Sequence, residues 1–261
     1  MEYLIIGNPR CGSGYAADIF TRLGLPTIHE ETQEIDLSGF VGHSSWAFNI
    51  WDQPPEENPK FGRPKDGYEG VRMWAKNADP DECDIRFGSF EKIVVHLRNP
   101  FASFPSLIDE NRTGWSKRIR FSYIKRSLGI DIRGNELEQA ILGYLYYNRL
   151  ALEKADFFFR IEHDYEKLRS YLSEYHSDLP ELPEEETSKR VNSKPHSKAV
   201  RAKDWDAVSV STKELLWQFC ETYGYDYSPE ILRPKFRWKL SALLIKLRFW
   251  VTLILVPKRR P

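Results

Sequence analysis

Apolar and polar positions along this chain follow two rhythms, one of period two and one of period near 3.6. Tyr3 to Gly7 is a short β-prone apolar run closed by a glycine, and from Ala16 to Leu23 the positions Ala17, Phe20 and Leu23 recur at helical spacing. The pattern predicts strand, loop and helix in succession. A second β-branched run, "KIVVHL" from Lys92 to Leu97, suits a central parallel strand, and the "RNP" that follows marks a turn into the next helix. Leu137 to Ala155 reads as a long amphipathic helix with Ile141, Leu145 and Asn148 on one face. A third strand, Phe157 to Ile161, and another helix come next in "DFFFRIEHDYEKLRSYL". Two strand-turn-helix units and a third strand predict an α/β fold with a mainly parallel central sheet.

The rhythm fails in two places. From His29 to about Cys83 the chain turns to Trp, Pro, Gly and Asn, an irregular stretch of the kind that is functional or mobile in compact domains. From Glu181 to Pro195 it is rich in Pro, Glu, Ser and Lys and reads as a surface loop. Beyond it, "STKELLWQFCETYGY" predicts a helix with Ser211 as N-cap, Glu214 three residues later, and Gly224 as its stop.

The C-terminal segment, Trp238 to Pro261, differs in kind. Its apolar span of about 18 residues is interrupted by charge, too short and too polar for a transmembrane helix, and it ends in Lys258, Arg259 and Arg260. It reads as an interfacial helix whose cations snorkel beside Trp and Leu, or else as a terminal helix packed on the domain. The predicted organisation is one α/β domain over residues 1–237 and this basic, apolar segment over 238–261.

Composition narrows the function classes. The 38 basic and 38 acidic side chains cancel, which argues against a nucleic-acid binder, so any affinity for anions must be local. The three cysteines, Cys11, Cys83 and Cys220, have neither metal-ligand spacing nor an even count, and they suit a reducing, cytoplasmic setting. Folding material from Tyr3 onward leaves no room for a signal peptide. No cluster has the spacing of a metal site.

Chemistry concentrates in the opening loop. A glycine-rich turn between strand and helix exposes backbone N–H groups at a helix N-terminus, which is an anion site without special side chains. A nucleoside-triphosphate loop adds a Lys after its last glycine and a hydroxyl for magnesium. Here Gly14 is followed by Tyr15, and the basic residue of the loop, Arg10, precedes the glycines. That pattern counts against a kinase or ATPase.

The stretch "GNPRCGSGYAADIF" resembles the phosphosulfate-binding loop of the sulfotransferase superfamily, commonly Pro, Lys or Arg, Ser, Gly and Thr in succession. Cys11 stands where Ser is usual, Ser13 where Thr is usual, and Gly14 where many members carry a second Thr. The second unit, "VVHLRNPFASFPS", adds an Arg at a strand end and a Ser eight residues later, Arg98 and Ser106, the spacing with which the family binds a 3′-phosphate. Ser103 competes with Ser106 for that role. Taken alone, Arg98 reads as an ordinary strand-end ion pair. Weaker echoes follow in "RIEHDYEKL" and "RVNSK".

The resemblance implies a P-loop NTPase-like three-layer α/β/α fold and in-line transfer of a sulfuryl group from 3′-phosphoadenosine 5′-phosphosulfate to an acceptor hydroxyl, with no metal. It implies a donor site of Arg10, Cys11, Gly12, Ser13, Gly14, Tyr15, Arg98 and Ser106. Some relatives lay a late basic stretch over the 3′-phosphate, and Lys198, Arg201 and Lys203 could supply it here. Arg10 is the candidate for stabilising the leaving group. Glu30 is the first candidate for the base, His29 the second and His43 the third, whereas His96 inside its strand reads as a buried histidine. The acceptor reads as a carbohydrate or glycolipid, because "SSWAFNIWDQ" offers aromatic rings for sugars and the C-terminal segment a route to a membrane surface. Two alternatives remain open at this point: a membrane-associated nucleotide-binding protein without turnover, and a P-loop phosphotransferase.

Overall fold

The computed structural model describes residues 2–29, 40–46, 90–113, 115–183 and 202–227. The chain divides into two compact units, Met1–Val200 and Arg201–Pro261, where the sequence pattern has its boundary at 237/238. Glu30, most of "SSWAFNIWDQ" and the segment 238–261 lie outside the described residues.

The first unit is α/β. Its strands are β1 (Tyr3–Ile6), β2 (Thr27–His29), β3 (Gly42–Ser45), β4 (Lys92–Leu97) and β5 (Phe157–Arg160). Its helices are α1 (Ser13–Arg22), α2 (Pro100–Thr113), α3 (Trp115–Leu128), α4 (Glu136–Leu152) and α5 (Tyr165–Ser173). All described strand pairs are parallel, in the order β2-β3-β1-β4-β5.

Strand alternation distributes the core. Tyr3 and Ile5 of β1 join Val94 and Phe159 in a cluster with Ala16, Ile19 and Phe20 of α1 and Leu168 and Leu172 of α5. The intervening residues Leu4, Ile6, Val95 and Leu97 are also buried, as a parallel sheet hidden on both faces requires. Helix α4 is buried on most of its circumference, through Leu137, Ala140, Ile141, Tyr144, Tyr147 and Leu150, a wider apolar surface than one amphipathic stripe. Asn135 starts it by accepting the Glu138 N–H at 3.0 Å.

Several expectations shift. Helix α1 begins at Ser13, three residues before the apolar periodicity, because Gly12 and the loop deliver the chain already turned. Strand β3 lies inside the stretch expected to be irregular. Its sequence GHSS has no β-branched residue, but pairing with β1 on one side and β2 on the other extends it, and tertiary pairing overrides weak propensity. Helix α3 is not among the elements predicted above, although Trp115, Ile119 and Tyr123 recur four residues apart.

The second unit holds α6 (Ala202–Asp206) and α7 (Val210–Tyr223) among its described residues. The N-cap of α7 is Ser209, not Ser211: Ser209 is extended and its hydroxyl accepts the Thr212 N–H at 3.3 Å. The cap lies two residues early because helical backbone already begins at Val210. Gly224 ends the helix in the left-handed conformation at φ 66°, as expected from its freedom there. Among the described residues no helix is long and apolar enough to cross a membrane.

Candidate active site

Parallel pairing places the two candidate motifs side by side. β1 and β4 are neighbours with Ile6 opposite Val95, and β4 runs two residues further, so the loop after β1 meets the end of β4. The chain leaves β1 toward β2 on one side while β4 and β5 lie on the other. Such a divergence at the carboxyl ends of parallel strands opens a crevice for ligands.

The loop is shaped by close backbone approach. A Cβ on Gly7 would lie 1.9 Å from His96 Cε1, so a glycine is required where the loop leaves the strand. The Cys11 N–H donates to the Asn8 carbonyl at 3.0 Å and closes the turn. Arg10 adopts φ 63°, the left-handed region in which a non-glycine residue costs about 1–2 kcal/mol. Gly12, at φ 97°, is the N-cap of α1 and supplies no side-chain hydrogen bond, so no side chain occupies the first-turn N–H groups from the cap position. A helix N-terminus capped by a glycine is of the kind at which anions bind.

Side chains from four elements converge on this loop. Arg98, just past β4, donates Nη1 to the Arg10 carbonyl at 3.1 Å. Arg10 donates Nε to Ser106 Oγ of α2 at 3.0 Å. Ser13 Oγ is hydrogen-bonded to His29 Nε2 at the end of β2 (2.9 Å), and the Ser13 carbonyl accepts from Ser44 Oγ of β3 at 2.8 Å. Neither Arg10 nor Arg98 forms an ion pair among the described residues. The strand-end ion pair that Arg98 alone would suggest is therefore not formed there.

The two serines of α2 separate by partner. Ser103 donates to the Asn99 carbonyl at 3.0 Å and accepts from Cys11 Sγ at 3.5 Å, buried under the loop. Ser106 faces Arg10. Burial pushes the Cys11 thiol up to about 11, against the lowering influence of Ser103 and of the Arg98 and Arg120 charges. It is a packed, protonated group rather than a nucleophile.

Burial also decides among the histidines. His96 is fully buried and its ring nitrogens have no partner in hydrogen-bonding geometry. Desolvation lowers its pKa to about 3, against an opposing pull from the Cys11 backbone. His43 is fully buried within β3 and lowered to about 3, again by desolvation first. Its ring is thus less accessible to an acceptor than that of His29. His29 is half-buried and touches the loop through Ser13. Tyr15, in the first turn of α1, is half-buried, and its phenol is pushed up to about 12 by burial. Lys198 and Arg201 lie outside the described residues, while Lys203 falls in α6.

Four residues of this neighbourhood are given no role by the sequence pattern. Asn8 and Arg120 bond one another beneath the loop, and the Tyr144 hydroxyl donates to the Arg98 carbonyl. Glu162, after β5, accepts the Asn99 N–H at 2.8 Å, and desolvation raises its pKa. Only "RIEHDYEKL" carries any signal for these, and it points at a motif rather than a contact. Comparison with models of protein families, with curated proteins and with solved structures finds no match in any of the three.

Proposed function

We propose that this chain is a sulfotransferase of P-loop-like three-layer α/β/α architecture, transferring a sulfuryl group from 3′-phosphoadenosine 5′-phosphosulfate to a hydroxyl of a carbohydrate or lipid-linked acceptor. The observation that carries the reading is the convergence of Arg98, Arg10 and Ser106 on one loop, with neither cation paired to a carboxylate among the described residues. A phosphate dianion suits such a pair of guanidinium groups, whose planar forks bind oxygens two at a time.

Each residue then has a role. Arg98 and Ser106 hold the 3′-phosphate, which separates this donor from ATP. Residues 10–15 hold the phosphosulfate, with Ser13 Oγ and the α1 N-terminus donating hydrogen bonds. The donor, when bound, supplies the sulfuryl group. Arg10 follows the negative charge that develops on the departing oxygen but remains charged throughout, so it stabilises the leaving group without donating a proton. Glu30 is the first candidate to take the acceptor's proton and His29 the second; with Nε2–H donated to Ser13 Oγ, the His29 ring would take it at Nδ1. Contact with a membrane surface through residues 238–261 belongs to the same proposal.

Cys11 favours a second reading in one respect. Its buried thiol, engaged by Ser103, replaces a hydroxyl of the usual loop, so the site would bind the donor without turning it over. Transfer of label from sulfur-35 donor to a panel of glycans and glycolipids separates the two, because turnover excludes the binding-only reading. Calorimetry with adenosine 3′,5′-bisphosphate tests the site itself. Arg98→Ala should weaken binding by about 10-fold or more, the worth of hydrogen bonds to a charged group, and unchanged affinity refutes the assignment.

A further inference from the structure

Beneath the loop lies a cation that the proposed chemistry does not use. Arg120 of α3 is fully buried. Its Nη1 donates to Asn8 Oδ1 at 3.1 Å and its Nη2 to Asn111 Oδ1, while Nε has no hydrogen-bond partner. No carboxylate forms an ion pair with it among the described residues; the acid whose field it feels is Glu110 of α2. The neighbouring helix packs closely here: a Cβ on Gly143 of α4 would lie 2.9 Å from the Phe121 ring and in ordinary contact, 3.4 Å, with Arg120 Nε.

An arginine buried without a counter-ion is costly, and two amide oxygens and the Phe121 ring, 5.5 Å from Cζ, offset only part of that cost. The placement of its partners indicates what offsets the rest. Asn8 is itself a loop residue, and its Nδ2 donates to the Tyr144 carbonyl at 3.2 Å. Tyr144 in turn donates its hydroxyl to the Arg98 carbonyl. Arg120 is thus bonded to the loop through Asn8, and Tyr144 meets Asn8 with its carbonyl and Arg98 with its hydroxyl.

We propose that Arg120 is a third cation of this site, a positioning residue whose buried charge draws the bound anion toward the loop through Asn8 without touching it. In water-poor surroundings a charge acts over longer range than at the surface. Burial lowers the Arg120 pKa only to about 10, so the charge persists at neutral pH, and its field already reaches Cys11. That the anion is a phosphosulfate donor rests on the proposed function; the presence of the charge does not.

The test compares charge with shape in the full chain, using adenosine 3′,5′-bisphosphate and inorganic pyrophosphate as probes in calorimetry. Arg120→Gln keeps donors but loses the charge, and should weaken both probes by about 10-fold or more. Arg120→Lys loses the fork, and burial lowers the pKa of an ammonium, so relative to Arg120→Gln it should recover affinity at about pH 6, where the cation is restored, and lose it again at about pH 7.5. A purely structural role predicts instead that both variants are equally impaired at both pH values, and that result overturns the proposal, as does full affinity in Arg120→Gln. Should Arg120→Gln fail to fold, Asn8→Asp pairs the buried guanidinium with a carboxylate. The new pair offsets the loss of the Asn8 donor to the Tyr144 carbonyl, and with the cation neutralised affinity for both probes should fall; retained affinity overturns the proposal. If the parent binds pyrophosphate but not the bisphosphate, the sulfotransferase reading fails and Arg120 is judged on pyrophosphate. Binding of neither probe overturns both.

Discussion

Substituting Gly7 by Ala tests whether the loop owes its path to contact with His96. The added methyl would lie 1.9 Å from Cε1 and 2.0 Å from Nε2 of a ring that is fully buried. Ordinary van der Waals contact begins at 3.4 Å, so the ring or the loop would have to retreat by about 1.5 Å. His96 sits near the end of a central strand with the Phe159 ring 6.4 Å away, and a packed core absorbs such a shift poorly. Overpacking of this kind costs about 1–3 kcal/mol. His96→Ala alone removes a ring that lacks a well-formed hydrogen bond and leaves a cavity, a loss of about 2 kcal/mol at the low end for large-to-small changes. In the double variant the added methyl enters the space that the ring vacated. The two losses should then fall short of additivity by about 1–2 kcal/mol in urea unfolding at neutral pH. Affinity for adenosine 3′,5′-bisphosphate, lowered in Gly7→Ala by the displaced loop, should recover in the double variant. Additive stabilities would refute the reasoning, because they would mean that the methyl and the ring do not compete for space.

Two further outcomes follow from burial and capping. His96 is held neutral with its pKa lowered to about 3, so between that value and about 6.5 the unfolded chain binds a proton that the folded chain does not. Stability is fully present above about pH 7 and declines as pH falls, by up to about 1.4 kcal/mol per pH unit for this group; urea unfolding of His96→Gln at about pH 7.5 and about pH 5 should show a shallower decline than the parent, and equal slopes would count against it. Ser209→Ala should destabilise the second unit by about 1 kcal/mol and Ser211→Ala by less than about 0.5 kcal/mol, since the Ser209 hydroxyl accepts the Thr212 N–H; thermal melts that rank the pair the other way would restore Ser211 as the cap.

The legible parts of this protein are those whose signal is local. β1, β4 and β5 are apolar runs, and α4 is a long apolar repeat, so each element's type follows from burial of neighbouring side chains. β3 is illegible because Gly42, His43, Ser44 and Ser45 look like loop residues. They form a strand because β1 and β2 supply the ladder and Ser44 finds the Ser13 carbonyl. Its histidine, a candidate base by sequence, is a core residue for the same reason.

The candidate site divides likewise. Arg10 and Ser13 stand out within a glycine-rich turn, whereas Arg98 and Ser106 are singled out only by the resemblance to the sulfotransferase motifs. Their meeting is not legible in the sequence, because it depends on β1 pairing with β4 and on the register that sets Ile6 against Val95. Arg120 lies furthest from local inference. Helix α3 carries five basic residues, Lys117, Arg118, Arg120, Lys125 and Arg126, interleaved with apolar ones. Nothing local distinguishes the one that is fully buried. The sequence determined which groups could bind an anion. Packing of α3 against α2 and α4 decided which cation stands beneath the loop, because burial is a property of the assembled helices.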